Sequence, residues 1–115
     1  MTTSLHDEFA QRRPDAVERR GGETLIDIDA ADELLGEAER RGIRVLGLEG
    51  LLVADDGTYP ALSRIADYSD VPDVQQSASL ARELIRGPWR TPPTPADHMT
   101  ESAHGRYVLA IVLGS

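Results

Sequence analysis

The stretch Thr24–Leu48, TLIDIDAADELLGEAERRGIRVLGL, decides how the fold is read. Leu25, Ile26 and Ile28 form a short apolar strand. Asp29 follows as a helix N-cap, with Asp32 three residues on, near the positive end of the helix dipole. Ala31, Leu34, Leu35 and Ala38 then fall on one helical face. Glu33, Glu37, Glu39, Arg40 and Arg41 take the outer face. Glu37 and Arg41 stand in the favourable i,i+4 order, and both arginines lie at the negative end of the helix. Gly42 stops the helix, and Ile43-Arg44-Val45-Leu46-Gly47-Leu48 is a second β-rich run. Strand, amphipathic helix and strand in succession make a βαβ unit.

Beyond this unit, Leu51-Leu52-Val53-Ala54 leads through Asp55-Asp56-Gly57 into Thr58-Tyr59-Pro60, and an Asp-Gly pair between β-prone runs signals a hairpin. Pro60 confines the second arm to a sheet edge or ends it early. Leu62, Ile65 and Ala66 suggest one apolar turn before a polar loop from Asp67 to Gln76. Ser77 or Ser79 can cap a second helix that buries Leu80, Ala81, Leu84 and Ile85 and ends at Gly87-Pro88. Residues 88–105 hold four prolines and read as a surface excursion. The run Arg106–Leu113 is apolar on both faces, as expected of a strand in the middle of a covered sheet. Thr2–Gly22 has only Leu5, Phe9 and Val17 as sizeable apolar side chains, and residues 1–22 read as a flexible, partly helical arm. The expected fold is therefore α/β (α+β being the near alternative): residues 23–115 form one domain, with a mixed sheet of three to five strands and two main helices packed on it.

With 115 residues the chain is long enough for a single core. The 12 cations are all Arg, neither Lys nor Asn occurs, and 20 acids bring the net charge to −8. The absence of two residues with A/T-rich codons fits a GC-rich, bacterial genome. Acidity opposes nucleic-acid binding, which rests on a basic footprint, and favours basic partners. No Cys is present, which excludes disulfides and thiolate chemistry. The apolar run Tyr107–Leu113 is too short to span a bilayer. Asp7 and Glu8 stand where a secretory signal would be apolar, so a cytoplasmic location is expected. The charge is also regional: residues 1–22 sum to zero, 23–42 to −5, 43–76 to −4 and 77–115 to +1.

Two groups of side chains could carry chemistry. The first is Glu49, Asp55, Asp56, Asp67, Asp70 and Asp73, with Tyr59 and Tyr68 among them. Such carboxylates could hold a hard cation, stabilise turns through their own backbone, or face a basic partner with the tyrosines as anchors. The spacing of a calcium loop is missing. The second group is Asp97, His98, Glu101 and His104, a possible zinc set. Its two histidines lie six residues apart and do not share a helical face, so a solvated loop is the alternative. His6 lies in the arm with no evident partner. Neither a nucleophile elbow nor a phosphate-binding glycine loop is present, and no cofactor is implied. Trp89 either covers the sheet or serves as an exposed anchor.

Residues 25–69, LIDIDAADELLGEAERRGIRVLGLEGLLVADDGTYPALSRIADYS, resemble small acidic immunity proteins of bacterial polymorphic and contact-dependent toxin systems. The likeness lies in the helix followed by RVLGLEG, the Asp-rich hairpin, the proline and IADYS. The element order also looks like that of barstar-type ribonuclease inhibitors. The resemblance implies a protein without an active site that binds and occludes a toxin, often a nuclease. Its contact surface would be Glu49, Asp55, Asp56, Tyr59, Asp67, Tyr68, Asp70 and Asp73. A metal-dependent hydrolase built on the Asp97–His104 group and a regulatory or scaffold domain are the alternatives.

Overall fold

In the computed structural model, residues 4–20, 23–54, 57–91 and 106–114 are described. The chain order is α1 (Leu5–Arg12), β1 (Val17–Arg20), β2 (Glu23–Asp27), α2 (Ile28–Arg40), β3 (Val45–Ala54), β4 (Gly57–Asp67), α3 (Val74–Arg86) and β5 (Arg106–Leu113). The α/β class is as expected, and the five strands form one sheet in the order β1-β2-β5-β3-β4. Its pairing corrects the expected mixed sheet. Strands β2 and β3, joined through α2, do run parallel, but β5 lies between them and is antiparallel to both, so every ladder is antiparallel. No helix of the described residues is long and apolar enough to cross a membrane.

Helix α2 buries Ala30, Ala31, Leu34, Leu35 and Ala38, the face that the periodicity implied. Its N-cap position is Asp27, two residues before the expected Asp29, and that side chain makes no capping bond. At the other end Gly42 takes φ +70°, the left-handed geometry that suits glycine at a helix stop. Helix α3 starts three residues before the expected Ser77, because Asp73 caps it by accepting from the Gln76 N–H at 3.0 Å. Ser77 is instead fully buried: its hydroxyl accepts from the Val45 N–H at 3.2 Å and donates to the Val74 carbonyl at 3.0 Å. A helix hydroxyl thereby satisfies the first buried donor of β3.

The expected flexible arm is corrected as well. Its residues form α1 and β1, and Leu5, Phe9 and Ala16 belong to the main core. Two apolar side chains four residues apart suffice, because they share one helical face and meet a ready-made apolar surface. Strand β3 is continuous through Glu49-Gly50 and so joins the run ending at Leu48 to the run Leu51–Ala54. The ladder to β4 passes from Glu49↔Ile65 to Leu51↔Pro60, so residues 61–64 bulge opposite Gly50. The apolar turn expected at Ile65 and Ala66 is strand for the same reason. Pro60 does lie on an edge strand. Trp89 is buried and packs into the core that the helices cover. Of the expected excursion, residues 92–105 lie outside the described residues.

Two glycines give opposite expectations. A Cβ on Gly50 would lie 2.8 Å from the Arg64 Cβ and 3.1 Å from the Tyr107 ring. On Gly36, within α2, it would meet only the flexible Arg40 and Arg82 guanidinium groups, at 3.6 and 3.7 Å. Gly50→Ala should therefore destabilise by about 1–3 kcal/mol, whereas Gly36→Ala should stabilise by about 0.5–1 kcal/mol. Urea unfolding of the two variants measures both signs.

His6 ties α1 to the sheet, with Nε2 at 2.9 Å from the Ile111 carbonyl oxygen. Burial holds its pKa below the ordinary 6.5 in spite of that hydrogen bond, and the Arg19 charge adds to the depression. The native state thus takes up this proton less readily than the unfolded chain does. Stability should fall as pH drops below about 6.5 and level off once the native imidazole is protonated. Thermal melts between about pH 7.5 and 5.5 should show this slope, flattened in His6→Gln.

Candidate functional site

The acids of residues 23–42 are largely neutralised from within. Arg12 and Arg41 bind Glu37 at 2.6 and 2.9 Å, the second being the expected i,i+4 pair. Arg13 reaches Glu33. Arg82 lies between Asp32 at 3.0 Å and Glu39 at 3.2 Å, and Arg86 adds a 2.8 Å contact to Asp32. Arg90 binds Asp29 at 2.8 Å, and Arg106 reaches Asp27 at 3.3 Å. Glu8 pairs with Arg41, and Asp7 with Arg19. The arm and the C-terminal part therefore supply the cations that the central acidic segment lacks. These pairs draw the carboxyls of Asp7 and Glu37 below their ordinary pKa. For Asp32, burial is the largest influence and acts upward, but its two arginines together outweigh it. The exposed pairs among these, such as Arg13 with Glu33 and Arg90 with Asp29, each add little stability alone.

The expected contact residues have a different fate. Among the described residues, Glu49, Asp67, Asp70 and Asp73 have no arginine within ion-pair distance. Asp67 ends β4, and its Oδ1 accepts from the Ser69 N–H at 2.9 Å; hydrogen bonding to the Ser69 side chain first, and to this N–H second, lowers its pKa. Asp70 is exposed in the connection to α3. Asp73 is the α3 cap, so turn chemistry already occupies two of the four.

The tyrosines do not form one surface with these acids. Tyr68 is only 9% exposed and belongs to the main core. Its backbone N–H donates to the Leu46 carbonyl at 2.8 Å. Burial, and then the Glu83 charge, push its hydroxyl pKa up. The expected exposed anchor is thus a packing residue, placed there because the strand's alternation turns it toward the helices. Tyr59 pairs with Leu52, whereas Asp67 pairs with Gly47. At the rise of a β-strand that separation along β3 is roughly 17 Å. Of the surface expected over residues 49–73, Tyr59 therefore stands apart from the Asp67 end. Asp55 and Asp56 lie outside the described residues, as do Asp97, His98, Glu101 and His104. Among the described residues, no three His, Asp or Glu side chains are arranged to hold a metal ion.

The structure does bring Glu49 and Asp67 onto one face of the sheet, the face without helices, and adds a residue that the sequence reading missed. Glu23 precedes Leu25 by two positions on β2 and so points to this same face. Burial raises the Glu49 pKa, and the Glu23 charge raises it further. Glu23 was overlooked because the apolar run of its strand starts at Leu25. Comparison with family models, curated proteins and solved structures finds no match to this chain.

A carboxyl held above its ordinary value of 4.5 makes the native state bind more protons than the unfolded chain. The native state consequently loses stability as pH rises from that value through the native one. Glu49→Gln should melt a few degrees higher than the parent at neutral pH, and the gain should vanish below about pH 4. Paired scanning-calorimetry traces at the two pH values give the comparison.

Proposed function

We propose that this chain is a binding and inhibitor protein of the immunity or antitoxin kind, which covers a basic, nuclease-like toxin with its uncompensated carboxylates. One observation supports this reading above the others. The chain neutralises most acids around α2 with its own arginines, yet leaves Glu23, Glu49, Asp67, Asp70, Asp73 and Glu83 without one among the described residues. Acids whose charge no internal arginine neutralises remain available to an external cation, even where, as at Asp67 and Asp73, one oxygen also accepts a backbone N–H. A nuclease site binds phosphate, so a carboxylate surface opposite it mimics the substrate and speeds association. On this reading the protein acts in the cytoplasm, needs no cofactor and has no catalytic residue.

Affinity capture from the native host, followed by mass spectrometry, should return one Lys/Arg-rich protein. Its association rate should fall by about tenfold or more between about 50 and 500 mM salt. Asp67→Arg and Asp70→Arg together should slow association further, and the same reversals at Asp55 and Asp56 test the hairpin end. A complex indifferent to salt and to all four reversals would refute charge-driven inhibition.

A further inference from the structure

Among the described residues, no backbone hydrogen bond ties α1 to another element. The bonds at its two ends run from the Glu8 N–H to the Ser4 carbonyl at 3.0 Å and from the Arg13 N–H to the Phe9 carbonyl at 2.8 Å. The first backbone anchor beyond the helix is Ala16, whose carbonyl accepts from the Asp27 N–H at 2.9 Å and whose side chain is buried. Only the turn Arg13–Ala16 lies between helix and anchor. The helix can therefore swing out about this turn while β1 keeps its ladder to β2.

Side chains alone hold α1 in place, and they are of two kinds. Leu5 and Phe9 are buried in the main core. Each polar attachment, by contrast, contains a group that gains a proton in acid. His6 Nε2 lies 2.9 Å from the Ile111 carbonyl oxygen. Asp7 pairs with Arg19, Glu8 with Arg41 and Glu37 with Arg12, while Glu33 holds Arg13 at the pivot. A helix of 8 residues does not persist alone in water, so α1 unfolds as it leaves.

The imidazole responds first as pH falls. It meets Arg19 of β1, whose charge opposes protonation, and Asp7 of its own helix, whose charge favours it. Strand β5 presents the neutral Ile111 carbonyl, and its one charged residue, Arg106, is bound to Glu18 and Asp27. Helix α2 presents Glu33, Glu37 and Arg41, each already paired. Burial outweighs the hydrogen bond and makes the docked ring harder to protonate than the free one. Between the free value of 6.5 and the lower docked one, proton uptake therefore favours the undocked helix. The carboxylates follow with the same sign, because hydrogen bonds from Arg19 and Arg12 hold docked Asp7 and Glu37 below their ordinary 3.8 and 4.5.

We propose that α1 is an acid-released strap: when His6 takes up a proton the helix turns outward about Arg13–Ala16 and uncovers the apolar surface beneath Leu5 and Phe9, while α2 and the five-stranded sheet stay folded. The release is local, at a lower free energy than global unfolding, and does not depend on which partner the chain binds.

Hydrogen exchange of the 15N-labelled full chain at about pH 7.5 and 5.5, each with rising urea below the unfolding transition, tests the release. After correction for intrinsic exchange, protection of the Phe9–Arg13 amides should lie at least about tenfold below that of α2 and β5. It should also respond weakly to urea, as an opening that exposes little surface does. At the lower pH it should fall by a further factor of about three or more. In His6→Gln, which keeps an amide donor for Ile111 but cannot take up the proton, that fall should be lost. Protection of α1 equal to that of β5, with the same urea response, would mean that α1 leaves only when the whole chain unfolds, and would overturn the strap. A fall that persists in full in His6→Gln would remove its trigger and overturn it equally.

Discussion

The insertion of β5 between β2 and β3 is the constraint on which the rest of the structure depends. Without it the sheet would be two separate pieces, a β1–β2 pair and a β3–β4 hairpin, joined only through α2. With it, Leu109 and Ile111 enter the core beneath the helices, and Val108 joins Leu25, Leu51 and Val53 in a smaller cluster on the other face. Contacts so distant along the chain are entropically slow to form, since large loops must close first. Helix α1 depends on the same strand, because His6 holds it to the Ile111 carbonyl. The glycines follow from it as well, since Gly50 leaves room beside β5 for the Tyr107 ring, against which the Arg64 guanidinium lies.

The charge distribution has a similar logic of distant parts. Along the sequence, acids crowd the centre while arginines are spread toward both flanks, which by itself suggests an exposed acidic region. In three dimensions α1, α2 and the end of α3 converge, and the flanking arginines fall among the α2 carboxylates. The arrangement separates two populations of acids. One is consumed in holding α1 and α3 onto α2, and the other, made of Glu23, Glu49, Asp67, Asp70, Asp73 and Glu83, has no arginine among the described residues.

How much of this could be read from the sequence differs from element to element. The apolar face of α2, the stop at Gly42, the edge position of Pro60 and the central place of β5 were legible, because each rests on local pattern or on the chemistry of one residue, whereas the choice between a buried and an exposed Trp89 was settled only by the fold. The start of α3 was misplaced because Asp73 and Ser77 are both capable caps, and only the position of Val45 decides which one is free to serve. The arm looked too polar to pack, as the surface receiving Phe9 belongs to residues far along the chain. Val112 read as covered for the opposite reason: its run is apolar, and nothing local reveals which face the helices leave open. Which carboxylates find an arginine is likewise fixed only once the helices are assembled.

That every cation in the network is an arginine has a chemical consequence of its own. Guanidinium groups stay protonated well beyond the range in which ammonium groups titrate, and Arg12, Arg41 and Arg82 are held still higher by the carboxylates they bind. The clasp between α1, α2 and α3 is therefore insensitive to alkali and yields only from the acid side. The chain also offers no side-chain amine to acylating reagents or acetyl donors. Modification chemistry directed at lysine would leave both the paired and the unpaired carboxylates of this protein as they are.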